Sequence, residues 1–170
     1  MSSILTRRGF MTASAAMAAA TTFPAALRAQ PAPLTLAAGT RTLDIDGRAA
    51  TVLGLTNGQG GSGLILDPGQ RFRVSLTNAL DVETAIHWHG QIPPNALDGV
   101  PDLPTPALRP GEARDYDFAP LPGTHWMHSH FPSQEMEMLA APLIVRGPGD
   151  LAADRQEVVM FLHDFSFKSP

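Results

Sequence analysis

The sequence contains no cysteine. That absence removes thiolate zinc sites, iron–sulfur clusters, copper centres with a thiolate ligand, disulfides and cysteine nucleophiles together. Net positive charge is also missing: the 170 residues carry a formal net charge of −4, which gives no electrostatic reason to bind nucleic acid. Gly60-Gly61-Ser62-Gly63 is followed by neither Lys-Ser/Thr nor a helix signal, which makes it a flexible connection and excludes a phosphate loop. Aromatic residues are few, at 6%, and no long helical period appears after the N-terminal segment. What is plentiful is punctuation, with 15 glycines and 16 prolines.

That punctuation divides short apolar runs. Leu34–Ala37, Thr42–Ile45, Ala50–Leu55, Phe72–Asn78, Ala85–His89, Ala113–Phe118, Gly123–His128 and Ala140–Val145 read as strands. Asp46-Gly47, Asn57-Gly58, Asp67-Pro68-Gly69, Pro93-Pro94-Asn95, Pro110-Gly111 and Pro122-Gly123 supply the turns between them. Short strands at near-regular spacing predict an all-β Greek-key sandwich. The single helical patch lies around Ser133–Met138, and Arg146–Arg155 reads as a linker.

Thr6-Arg7-Arg8-Gly9-Phe10, followed by an alanine-rich stretch to Leu27, reads as a twin-arginine export signal over residues 1–29. The stretch is short, alanine-rich and broken by Thr12, Ser14, Thr21, Thr22 and Pro24, so it suits a cleaved signal better than a membrane span. Cleavage after Ala29 predicts a periplasmic protein with no membrane anchor. It removes three arginines and no acid, taking the charge from −4 to −7.

Five of the six histidines fall in two stretches, His87-Trp88-His89-Gly90 and His125-Trp126-Met127-His128-Ser129-His130. Residues two apart on a strand project from the same face, so His87 and His89 point one way, as do His128 and His130. Adjacent strands would gather four imidazoles into a metal site. Imidazole suits copper, zinc, iron and nickel, and no His-x-His-x-Asp-His run of a binuclear zinc hydrolase is present. His125 falls on the opposite face, and His163 stands alone in an apolar run. Met127, Met136 and Met138 read as gap fillers, Trp88 and Trp126 as packing around the site, and Asp115, Asp117, Glu135 and Glu137 as solvated carboxylates.

The order His-Trp-His-Gly (87–90), Asp98-Gly99-Val100-Pro101, Pro110-Gly111, Pro122-Gly123-Thr124, Trp126-x-His128-x-His130 and Ala141-Pro142-Leu143-Ile144-Val145 resembles the first cupredoxin (plastocyanin-like) domain of laccase-like multicopper oxidases. The resemblance runs from about Leu34 to Arg146. It implies that His87 binds the type 2 copper, and that His89, His128 and His130 bind the type 3 coppers. It also implies that Asp98 helps deliver protons to bound oxygen, although Asp-Gly is an ordinary turn signal as well. The domains expected are the signal, residues 1–29; cupredoxin domain 1, residues 30–148; and a linker with the first strand of a second domain, residues 149–170.

The family's His-x-x-His-x-His and His-Cys-His motifs are absent from this sequence, so it looks like an N-terminal fragment holding four of the eight cluster histidines. In the family, electrons from a reducing substrate such as a phenol or metal ion enter through the cysteine-ligated copper and reduce O2. A complementary C-terminal cupredoxin domain is therefore expected as partner, with the chain alone inactive. Two other readings stay open: a stand-alone periplasmic copper-binding module, and a single zinc or iron in a hydrolytic site.

Overall fold

Alternation between buried and exposed positions builds this molecule, and β4 (Phe72–Asn78) shows it most cleanly. Phe72, Val74, Leu76 and Asn78 are buried while Arg73, Ser75 and Thr77 between them are half-exposed. The computed structural model describes residues 32–168, so the twin-arginine segment lies outside the described residues. The strands are β1 (Leu34–Ile45), β2 (Arg48–Asn57), β3 (Leu64–Leu66), β4, β5 (Ile86–His89), β6 (Ala113–Phe118), β7 (Gly123–Ser129) and β8 (Ala140–Val145). One short helix, α1 (Pro132–Met136), follows β7.

The strands form two four-stranded sheets, ordered β2-β1-β4-β6 and β3-β8-β7-β5. Both are mixed: β1 runs parallel to β4 and β3 parallel to β8, while the other pairings are antiparallel. Between them Phe72 packs on Trp88 and Phe118 with ring centroids 4.7 and 4.6 Å apart, and Trp88 meets Tyr116 edge-on at 4.8 Å. Leu36, Val74, Leu76, Ile86, Met127, Leu139 and Leu143 fill the rest of this core. Each such side chain contributes about 1.5–3 kcal/mol on burial, so few aromatics suffice when they are placed together. Burial also pushes the Tyr116 phenol above its ordinary pKa.

Two strand readings merge, one strand is new, and the bounds of β2, β5 and β7 move by one or two residues. Leu34–Ala37 and Thr42–Ile45 belong to one strand, because Gly39 continues the ladder opposite Gly54. The three-residue β3 was not legible: it exists by pairing with β8 through Leu64↔Leu143. Gly63, at φ +79°, permits that approach, since a Cβ there would run into the Pro142 carbonyl. The glycine-rich connection before it is also less loose than its composition suggests. Asn57 Oδ1 accepts from the backbone N–H of Gln59 and Gly61, and Asn57 Nδ2 donates to the Gly63 carbonyl.

From Pro33 onward the described chain forms one compact unit. Arg146 begins the linker pinned between Asp67 and Glu157, at 2.8 and 2.6 Å. Residues 157–166 join neither sheet. Phe161, His163 and Phe165 are half-buried while Leu162, Asp164 and Ser166 face solvent, so the segment keeps a strand's alternation without a ladder partner.

Candidate metal centre

The register between β5 and β7 makes the site. His87 stands directly opposite His128 and Trp88 opposite Met127, so one face of this strand pair enters the core and the other carries imidazoles. His130 lies just past β7, where its N–H donates to the Ala85 carbonyl and keeps the chain alongside β5. The His87 ring centroid is 5.6 Å from that of His89, 5.6 Å from His128 and 5.5 Å from His130. All four rings therefore gather around His87.

Ring nitrogens sort into those already engaged and those left facing the pocket. His87 Nδ1 lies 2.9 Å from the Asp98 carbonyl and 3.4 Å from the Asp98 carboxylate. His128 Nδ1 lies 3.0 Å from the Ser129 carbonyl and 3.3 Å from the Glu135 carboxylate. Carbonyl and carboxylate oxygens only accept, so each Nδ1 carries a proton and Nε2 is the nitrogen left to take a metal. His128 Nε2 in turn sits 3.3 Å from His89 Nδ1. One ligand atom from each of His87, His89 and His128 falls within a 4.8 Å span. Burial, and next the nearby His87 and His89 rings, hold the His128 imidazole below its ordinary pKa despite the Ser129 carbonyl and Glu135. An imidazole favoured in its neutral form, as His128 is, suits a metal ion, because a metal ligand must be deprotonated.

Asp98 reaches His87 through a tight turn. A 3-10 turn over Asn95–Leu97 precedes it, and the Leu97 carbonyl accepts from Trp88 Nε1 at 2.9 Å. Gly99 follows at φ +80°, where any Cβ would run into the Ile86 carbonyl. The glycine thus allows the Asp98 turn to lie against β5.

Several residues fall elsewhere than their residue types suggested. Trp88 does not line the site: lying between His87 and His89, it points to the opposite face and is fully buried in the core. Trp126 does line it, stacked on His128 at 4.1 Å and 5.1 Å from His89. His125 is outside the cluster, with Nε2 3.0 Å from the Leu121 carbonyl. Met127 is core, Met136 is exposed, and Met138 packs with Ala50 and Val52. Glu135, read as a solvated carboxylate, instead faces His128. Buried Gln134 was not singled out at all. Its Oε1 accepts from Thr84 and Ser129 hydroxyls at 2.7 and 2.8 Å, and its Nε2 donates to the Glu83 carbonyl. The available signal was the placement of Gln134-Glu135 one helical turn past His130.

Comparisons with known proteins agree with this geometry. Residues 37–150 match the multicopper oxidase family model. Copper resistance protein A of Pseudomonas syringae pv. tomato is 35% identical over 138 residues, covering 79% of this chain and 22% of that protein. Laccase-2 of Botryotinia fuckeliana is 34% identical over 132 residues, covering 75% of this chain and 23% of that protein. Among solved structures, Lac15 from a marine microbial metagenome superposes with a TM-score of 0.60 at 34% identity, covering 69% of this chain and 33% of that one. The chain thus spans under a quarter of the length of these curated relatives. Two sheets packed as in those structures, and an imidazole cluster on one strand pair, go with the sequence match: this chain belongs to the multicopper oxidase family.

Proposed function

We propose that this domain supplies one half of the oxygen-reducing copper cluster of a laccase-like multicopper oxidase. His87 is the type 2 ligand, and His89, His128 and His130 are type 3 ligands. The observation that carries the reading is the 4.8 Å convergence of ligand atoms from His87, His89 and His128. Their chemistry fits copper: imidazole donors, no thiolate in the chain, and Nδ1 of His87 and His128 turned to carbonyl oxygens so that Nε2 is the nitrogen left to take a metal. Copper bound there would supply the one-electron chemistry that couples oxidation of a phenol or a metal ion to reduction of O2.

The protein's own contribution is positional. β5 and β7 fix the imidazoles, Trp126 shields one side of His128, and Asp98 holds His87 while offering a carboxylate for proton delivery. The remaining ligands come from a complementary C-terminal cupredoxin domain, which also brings the electron entrance that a chain without cysteine lacks. Export by the twin-arginine route places the folded protein in the periplasm, where it meets copper, O2 and its reducing substrate.

Metal analysis of protein from its native compartment, followed by copper titration of the purified chain, tests the reading. Copper bound in preference to zinc and iron supports it, with no intense blue band expected, since that colour needs a thiolate ligand. Stoichiometric zinc or iron with copper excluded would overturn it.

A further inference from the structure

The two imidazoles that face each other across β5 and β7 are held by the same device. His87 Nδ1 has one backbone carbonyl and one carboxylate, from Asp98. His128 Nδ1 also has one backbone carbonyl and one carboxylate, from Ser129 and Glu135. The elements that deliver them are unrelated. Asp98 arrives on a glycine turn beside β5, whereas Glu135 arrives on α1 after β7.

The orientation of α1 is fixed before Glu135 is considered. Gln134 is buried, and its side chain ties Thr84, Ser129 and the Glu83 carbonyl together. The Glu135 N–H donates to the Phe131 carbonyl at 3.1 Å, and the Leu139 N–H donates to the Gln134 carbonyl at 2.9 Å. With its neighbour locked, Glu135 places Oε2 3.3 Å from His128 Nδ1. The Nδ1–H donates to the Ser129 carbonyl, and a carboxylate beside it adds negative charge that pushes electron density toward Nε2. A ligand so held donates more strongly, and outer partners of this kind typically contribute 10–100-fold in metal affinity.

We infer that Glu135 is a positioning residue for copper, orienting and strengthening His128 as Asp98 does His87. The inference rests on the copper reading above, deepens it, and adds a second carboxylate to the site. Glu135 is not buried, so its effect belongs at the lower end of that range.

The test uses the whole chain and Glu135→Gln, which keeps the shape and an acceptor oxygen but removes the charge. The ring nitrogens of His128 and His130 are followed by 15N NMR of the metal-free protein at about pH 8, where imidazole is neutral. Copper affinity is then measured by competition with a chelator at the same pH. The expected result is an unchanged melt, a changed His128 ring-nitrogen pattern beside an unchanged His130 pattern, and copper affinity reduced about tenfold. Wild-type-like His128 nitrogens, or undiminished affinity in a variant whose parent binds copper, would overturn the inference. A parent chain that takes no copper would instead overturn the copper reading, while the metal-free spectra still decide the Glu135 contact.

Discussion

The two sheets use the same alternation to different ends. In β4 of the first sheet, the residues facing away from the core are Arg73, Ser75 and Thr77, and Arg73 shares Asp117 with Arg71 at 3.4 and 2.6 Å. In β5 of the second, the positions facing away from the core hold His87 and His89, with His128 and Trp126 opposite them on β7. Inward residues are interchangeable in kind between the sheets: Phe72, Val74 and Leu76 in one, Ile86, Trp88 and Met127 in the other. Inward positions therefore build the core, and the outward ones of one strand pair carry the imidazole cluster.

The sharpest way to break that division is to substitute adjacent residues of β5. Trp88→Ala opens the core and should lower stability by about 3–5 kcal/mol, seen as a collapse of the thermal melt. His89→Ala, on the exposed face, should leave the metal-free melt within about 0.5 kcal/mol of wild type. It should nevertheless weaken copper binding beyond the ~100-fold limit of outer-shell changes. A His89→Ala chain that binds copper normally, or melts like Trp88→Ala, would erase the distinction between the faces.

Gly99 lies between these extremes. Forcing a Cβ into its φ of +80° against the Ile86 carbonyl displaces the Asp98 turn. Gly99→Ala should cost about 1–3 kcal/mol in denaturant unfolding and shift the His87 ring resonances. Unshifted His87 resonances would show that the turn does not position Asp98.

How far the sequence revealed these regions follows the same division. β4, β6 and β8 were legible to the residue: in β4 and β6 the buried positions alternate under an apolar pattern, and β8 is a short apolar run closed by Arg146-Gly147-Pro148. β3 was hidden because three residues carry no period; pairing with β8 alone makes them a strand. The histidine pairs were legible because a strand face needs only spacing two. Glu135 was not, because its role depends on the turn of α1, which buried Gln134 sets through Thr84, fifty residues earlier. Trp88 was misplaced by adjacency: its neighbours His87 and His89 lie on the face it turns away from.

The outward face of the first sheet supplies the control. Asp117→Ala removes both ion pairs of an exposed network, so it should change stability by less than about 1 kcal/mol and leave copper affinity unaltered. A large effect on copper would mean that the sheets are coupled. The smallest expected effect is at His163, whose pKa is lowered by burial and then by Arg41. The folded state thus prefers the neutral ring, a preference fully present above the ordinary value of 6.5 and lost as pH falls through the folded pKa. Melts between about pH 7.5 and 5 should show a slightly shallower acid decline in His163→Gln than in wild type. A steeper decline would reverse the sign.

The central claim is that the outward face of β5 and β7 is the metal site, and pulsed EPR of the Cu(II)-loaded chain tests it most directly. The account predicts modulation from the remote nitrogens of more than one imidazole, reduced in His87→Ala and His128→Ala and unaffected by His125→Ala. Modulation that persists unchanged when His87, His89 and His128 are all replaced would contradict it.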